Sequence, residues 1–89
     1  MIEENITIIN KLGLHARAAA KLVATASAYA SQIQIEKEGK AVDGKSIMSV
    51  LMLAAGKGTE IKLIVEGEDE STALDALKTL INNRFDEEE

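Results

Sequence analysis

The chain has 89 residues, which is enough for one small domain with a modest apolar core. It contains no cysteine and a single histidine, so disulfides, thiolate metal sites and a histidine-rich metal centre are excluded. A net charge of −5, with one tyrosine and one phenylalanine, argues against a nucleic-acid surface, which needs a clustered basic face and often stacking platforms.

The two ends of the chain are acidic. The N-terminal segment Met1–Glu4 lacks the basic residues of a secretory signal. No apolar run approaches the roughly 20 residues that cross a bilayer. We therefore expect a cytoplasmic protein without membrane insertion. The C-terminal run Asp86–Glu89 predicts a short, solvated and disordered acidic tail, so the expected organisation is one domain over 1–85 followed by a tail over 86–89.

The first half of the chain predicts a strand, a loop and a helix. Ile6–Ile9, with Ile2 upstream, is β-branched and predicts a strand of about six residues. A loop over 10–14 follows, and a helix is predicted from Ala16 to between Ser27 and Tyr29. Helical spacing places the following residues on its inward face: Ala19, Leu22, Val23, Ala26 and Ala30. The outward face carries mostly small residues and two cations: Arg17, Ala20, Lys21, Ala24 and Ala28.

The second half predicts three strands and two helices. Alternation over 32–36 indicates a half-buried strand, and 40–43 its hairpin partner. Ser46 is the predicted N-cap of a second helix, closed by Gly56 and Gly58, with these apolar positions: Ile47, Val50, Leu51 and Ala54. A strand over 60–66 and a turn and cap over 67–69 precede a last helix over 70–83, with these residues buried: Ala73, Leu74, Leu77, Leu80 and Ile81.

The predicted order of elements is β-α-β-β-α-β-α. Each strand has one apolar face and each helix one apolar stripe, so the elements can share a single core. The pattern favours an α+β fold, an open-faced β-sandwich in which a four-stranded, mostly antiparallel sheet carries three helices on one side.

The single histidine, His15, stands directly before the first helix and two residues before Arg17. The first N–H groups of a helix lack intrahelical partners, and the helix dipole adds partial positive charge there. A phosphate at this end would meet the amides of Ala16 and Arg17 and the Arg17 guanidinium. Because imidazole is a nucleophile near neutral pH, His15 itself could carry a phosphoryl group. A lone histidine is also commonly a structural or solvated residue, and the local motif alone does not separate these interpretations.

Two segments resemble a known family. Asn10–Ala19, set after a strand and opening a helix, resembles the active-site segment of HPr, the histidine phosphocarrier of the phosphoenolpyruvate-dependent phosphotransferase system. Gly44–Leu51 resembles the regulatory-serine helix of that family. Within the family, Leu51–Gly58 and the Phe85–Glu87 ending look closest to NPr, the nitrogen-branch carrier. The resemblance covers nearly the whole chain, including the order of its elements.

The resemblance implies specific roles. His15 would accept a phosphoryl group on Nδ1 from phospho-Enzyme I and pass it to IIA domains, with Arg17 and the amides of Ala16 and Arg17 receiving the phosphate. Ser46 would be the target of an HPr kinase/phosphorylase. The implied docking patch consists of Ala20, Ala24, Ile47, Met48 and Leu51. The implied protein is a cytoplasmic monomer without metal or cofactor, a carrier rather than an enzyme.

Two departures and two alternatives accompany this interpretation. Ala18 stands where many HPr sequences have proline, and Ala24 and Ser27 stand where several have lysine, so the basic rim is thinner. The main alternative is an HPr-like regulatory binding module controlled by phosphorylation at Ser46. A hydrolase is disfavoured, because no second general acid or base is recognisable near His15. Whether the carrier serves sugar uptake, nitrogen regulation or both is left open.

Overall fold

A computed structural model describes all 89 residues. Its helices and strands follow the predicted order, with these bounds: β1 Ile2–Thr7, α1 Ala16–Ser27, β2 Gln32–Lys37, β3 Lys40–Asp43, α2 Ile47–Met52, β4 Glu60–Glu66 and α3 Glu70–Asn82. The four strands form one sheet in the order β1-β4-β2-β3, and every neighbouring pair is antiparallel. The predicted α+β open-faced sandwich is confirmed.

The sheet has one buried and one solvated face, as the alternating sequence predicts. Its buried face is built from Ile33, Ile35, Ile61, Leu63 and Val65, all at most 1% exposed. On the opposite face Lys62 lies across from Asn5 in β1 and Glu36 in β2. Its ammonium lies 3.5 Å from Glu3 and 3.9 Å from Glu36, so β1, β4 and β2 share ionic contacts on the open face.

Helix α1 contributes mainly small residues to the core. Ala18, Ala19, Leu22 and Ala26 are completely buried. The prediction that Ala30 belongs to this face was wrong, because α1 ends at Ser27 and Ala30 lies exposed in the following loop. Ala18, the departure from the common proline, is a buried core residue in the first turn.

The first strand ends earlier than predicted. Ile8 and Ile9 lie beyond β1, although Ile8 is completely buried. The Ile8 amide donates to the Thr59 carbonyl at 2.9 Å, and its carbonyl accepts from Gly58 at 2.7 Å. Ile8 therefore pairs with the loop before β4 while its side chain fills the core, which is why periodicity alone extended the strand.

The end of α2 and the start of α3 differ from the predicted caps. Helix α2 has Leu53 as its C-cap, and the left-handed residue that follows is the exposed Ala54 at φ +52°, not a glycine. Asp69 precedes α3 but makes no side-chain cap. Its carboxylate accepts from the Ala30 and Ser31 amides, each at 2.9 Å, and from the Ser31 hydroxyl. These bonds, led by the Ser31 hydroxyl, lower the pKa of Asp69 and tie the α1–β2 loop to the start of α3.

The chain reverses direction after α3. Arg84, Phe85 and Asp86 have φ values of +55°, +53° and +63° and form a left-handed turn. Non-glycine residues rarely adopt this conformation, and each costs roughly 1–2 kcal/mol. The burial of Phe85, which is completely inaccessible, accompanies the turn. The last residues are thereby directed back toward α1. None of the helices is long and apolar enough to cross a membrane.

Candidate functional site

The loop before α1 is fixed against the connection between α2 and β4. Gly13 has φ +65°, and a Cβ at this position would lie 2.6 Å from the Ala55 carbonyl oxygen. The next amide, that of Leu14, donates to the same carbonyl at 2.8 Å. Gly13 therefore permits a close backbone approach that a side chain would block, and this contact sets the position of His15.

His15 is the N-cap of α1, as predicted. Its backbone is extended (φ −73°, ψ 177°), and its ring atom Nδ1 accepts a hydrogen bond from the Arg17 amide at 3.3 Å. The first backbone bond of the helix runs from the Ala19 amide to the His15 carbonyl at 2.8 Å. Since Nδ1 acts as an acceptor, the proton of the neutral ring lies on Nε2.

The other ring nitrogen is covered by the acidic tail. Nε2 of His15 contacts the Glu87 carboxylate through Oε2, while Oε1 of Glu87 accepts from the Asn10 amide at 3.1 Å. The His15 side chain is 28% exposed and that of Glu87 16% exposed. The hydrogen bond from His15 is the main cause that lowers the pKa of Glu87, with Asn10 adding to it.

The predicted solvated tail was therefore wrong for Glu87. Sequence reasoning missed this residue because 72 positions separate it from His15. A local signal existed in Phe85, the only phenylalanine, which lies directly before the acidic run and anchors it in the core. The boundary between a domain over 1–85 and a tail over 86–89 stays a prediction.

The cations around His15 differ in their pairing. The Lys11 ammonium lies 3.3 Å from the Glu89 carboxylate. The Lys21 ammonium lies 3.8 Å from the Asp86 carboxylate and donates to the Phe85 carbonyl at 2.7 Å. Arg17 lines the same groove and forms no ion pair. Its guanidinium is thus the cation beside His15 that is free to meet an incoming anion.

The second segment that resembles HPr, Gly44–Leu51, contains the N-cap and most of α2. The Ser46 hydroxyl accepts from the Ser49 amide at 3.3 Å, which confirms the predicted N-cap. Ile47 is 40% exposed and Met48 66% exposed. In α1, which packs against α2, Ala20 and Ala24 are also exposed, whereas Leu51 is half-buried. Two further apolar side chains lie on the surface, each 67% exposed: Leu12 and Met52. No cluster of three potential metal ligands is present.

Comparison with known proteins decides the family. Residues 2–83 match the family model described as the PTS HPr component phosphorylation site. The chain belongs to the HPr family. It is 64% identical to the phosphocarrier protein HPr of Pseudomonas aeruginosa over 85 residues, covering 94% of each chain. It also matches the crystal structure of HPr-C-His from Thermoanaerobacter tengcongensis with a TM-score of 0.97, 49% identity and complete coverage of both chains. A crystal structure of an HPr dimer from the same organism matches with a TM-score of 0.79 and 49% identity, covering 98% of this chain and 100% of that one.

Membership of the HPr family establishes the class of the protein. It is an HPr phosphocarrier of the phosphotransferase system, a protein that carries a phosphoryl group and is not itself an enzyme. The NPr subtype and the monomeric state stay predictions. The structure brings together His15, Arg17 and the start of α1, and it adds Glu87 and Asn10, two residues for which the sequence predicted no role at the site.

Proposed function

We propose that His15 accepts a phosphoryl group on Nδ1 from phospho-Enzyme I and passes it to IIA domains. The observation that carries this proposal is the unequal use of the two ring nitrogens. Nδ1 directs its lone pair toward the first amides of α1, while Nε2 holds the ring proton against a carboxylate. The nucleophilic lone pair and the phosphate-binding end of the helix are thus on the same side of the ring.

The proposed transfer needs no change of protonation at the attacking atom. The Nδ1 lone pair forms the new N–P bond as the bond between phosphorus and the donor breaks, and the donor group keeps that electron pair. The Arg17 amide, which donates to Nδ1 at 3.3 Å in the free protein, is released to donate to a phosphate oxygen. Return of the phosphoryl group to an acceptor reverses these events.

Arg17 is the proposed partner of the phosphate charge. Lys11 and Lys21 are engaged by the tail, whereas the Arg17 guanidinium is exposed and unpaired. One arginine and one helix end hold a phosphate loosely in comparison with a closed, metal-bound site. This suits a carrier that must release what it accepts.

The proposed docking patch is an apolar surface of α1 and α2 in which four residues are exposed and Leu51 is half-buried: Ala20, Ala24, Ile47, Met48 and Leu51. Met48 is 66% exposed and lies in the first turn of α2, two residues after Ser46. Enzyme I and the IIA domains would approach this patch in turn, in the cytoplasm, in the sugar branch, the nitrogen branch or both. The sequence likeness to NPr supports the nitrogen branch.

The proposal is tested by phosphotransfer in vitro. The parent protein, His15→Ala and Arg17→Ala are incubated with phosphoenolpyruvate and with sugar-branch or nitrogen-branch Enzyme I. We expect acid-labile, base-stable label on the parent, none on His15→Ala, and slower labelling of Arg17→Ala. Labelling of His15→Ala at the parent level would contradict the proposal. The branch is assigned by the Enzyme I that labels the parent faster.

A second proposed role concerns Ser46. Its hydroxyl is half-buried as the cap of α2, directly before the exposed Ile47 and Met48. Phosphorylation by an HPr kinase/phosphorylase would place nearly two negative charges beside the docking patch and repel an acidic partner. If Ser46→Ala abolished the cellular effect while His15→Ala preserved it, regulation through Ser46 would be the main function.

A further inference from the structure

We infer that Glu87 is a positioning residue for phosphoryl transfer, which holds the His15 ring in the tautomer and orientation that present the Nδ1 lone pair. The inference rests on the proposed role of His15. Glu87 lies outside the matched family segment of residues 2–83. It therefore adds a component of the site that the local His15 motif does not contain.

A carboxylate is the group that fits between Asn10 and His15. Asn10 is completely buried, and its amide nitrogen donates to the Gly13 carbonyl at 2.8 Å and to Oε1 of Glu87 at 3.1 Å. Turning the Asn10 amide over would place its oxygen against two other oxygens, so the donor assignment is fixed. Oε2 of Glu87 remains to accept the Nε2 proton of His15. A glutamine at this position has only one acceptor oxygen for these two donors.

The position of Glu87 is determined by anchors on both sides. Phe85 is completely buried two residues before it, and the Lys21 ammonium donates to the Phe85 carbonyl at 2.7 Å. Glu89 lies two residues after Glu87, and its carboxylate lies 3.3 Å from the Lys11 ammonium. The left-handed turn over 84–86 is an observed departure from ordinary backbone geometry, and such strain persists only where surrounding contacts maintain it.

The carboxylate also matches the charge that develops on the ring. When the Nδ1 lone pair forms the N–P bond, Nε2 keeps its proton and the imidazole becomes cationic. Glu87 faces that proton and stabilises the positive charge while the phosphate forms on the opposite side of the ring, near Arg17. The proton stays on Nε2 throughout, so the same ring returns to its starting form after the phosphoryl group leaves.

The test compares Glu87→Gln with Glu88→Gln, which makes the same change of charge at an exposed neighbour without a hydrogen bond or ion pair. Transfer from phospho-Enzyme I is measured over a range of Enzyme I concentrations. We expect Glu87→Gln to lower the maximal rate roughly tenfold or more, with little change in the half-saturating concentration. Glu88→Gln is expected to behave as the parent. Glu87→Asp, which keeps the charge, should recover part of the rate.

Imidazole ¹⁵N spectra provide the second measurement, and the single histidine makes their assignment direct. The neutral parent and Glu88→Gln should show the Nε2–H tautomer, and Glu87→Gln a mixture of tautomers. Equal rates and equal spectra for the two glutamine variants would overturn the role of Glu87. In that case loss of label in His15→Ala would still support the proposed carrier function, whereas label on His15→Ala would contradict that function itself.

Discussion

At the scale of single residues, one imidazole performs two separate tasks. Nδ1 of His15 caps a helix and Nε2 meets a carboxylate from the other end of the chain. Both contacts favour a proton on Nε2. The chemistry of the site therefore depends on a local contact that spans two residues and a distant one that spans 72.

The depressed pKa of Glu87 gives a prediction at this scale. Because the hydrogen bond from His15 is its largest cause, His15→Ala should raise the pKa of the Glu87 carboxyl toward its ordinary value. A carboxyl whose folded pKa is depressed stabilises the fold above its unfolded pKa, and that contribution is lost as pH falls through the folded pKa. Carboxyl ¹³C titration measures the shift, with Glu88 as the internal control. An unchanged Glu87 midpoint in His15→Ala would contradict the contact.

The local part of the site could be predicted from the sequence, and the distant part could not. The cap position of His15 and the cap at Ser46 follow from residues within three positions of each other, so spacing was sufficient. Glu87 reaches His15 only because Phe85 enters the core through a left-handed turn. The acidic composition of 86–89 predicted a solvated tail. No local rule predicts three consecutive non-glycine residues with positive φ.

At the scale of elements, periodicity predicted the sheet and the long helices but misplaced some ends. The buried residues recur at every second position in β2 (Ile33 and Ile35) and in β4 (Ile61, Leu63 and Val65), so the inward faces of these strands were predictable. The run Ile6–Ile9 is β-branched at every position, so its composition does not mark where β1 ends, and the end depends on contacts with a distant loop. Helix α2 ends at Met52 and is followed by Ala54, an alanine in a conformation typical of glycine, whereas the glycines placed its predicted end near Gly56.

Ala54 gives a prediction about the end of α2. It is exposed with φ +52°, so Ala54→Gly relieves backbone strain without removing a packed side chain. After the greater flexibility of unfolded glycine is subtracted, we expect a gain of about 0.5–1 kcal/mol in the free energy of unfolding. The control, Ala20→Gly, lies within α1 and should lose about 1 kcal/mol. Urea denaturation measures both, and destabilisation by Ala54→Gly would contradict the assigned conformation.

Phe85 gives a prediction about the C-terminal turn. Replacing this completely buried side chain with alanine should cost about 3–5 kcal/mol in the free energy of unfolding and release the tail from His15. Phe85→Leu should cost less and keep the tail in place. Chemical denaturation measures the stability, and the His15 ¹⁵N spectrum reports the tail. A loss below about 1 kcal/mol for Phe85→Ala would show that Phe85 does not hold the turn.

At the scale of the whole molecule, the sheet supports α1 and α2. His15 lies at the start of α1, and exposed apolar residues lie on both helices. Acidic residues of the tail form ion pairs beside the site, Glu89 with Lys11 and Asp86 with Lys21. Arg17 forms no ion pair. An acidic carrier with a thin basic rim should depend on apolar contact more than on electrostatic steering.

This view predicts that Met48→Ala raises the half-saturating concentration of Enzyme I several-fold and changes the free energy of unfolding by at most about 0.5 kcal/mol, because Met48 is 66% exposed. Thr72→Ala, exposed on α3, serves as the control and should change neither quantity. Steady-state phosphotransfer and urea denaturation give the two values. An unchanged half-saturating concentration for Met48→Ala would remove Met48 from the docking patch.

The position of phosphorus on the His15 ring tests the central claim most directly. The protein is phosphorylated with phosphoenolpyruvate and Enzyme I, and ¹⁵N and ³¹P NMR then identify the bonded nitrogen. Since Nδ1 faces the start of α1 and Nε2 faces Glu87, the phosphorus should be bonded to Nδ1 and the proton should remain on Nε2. Phosphorus on Nε2, or on a residue other than His15, would contradict the account.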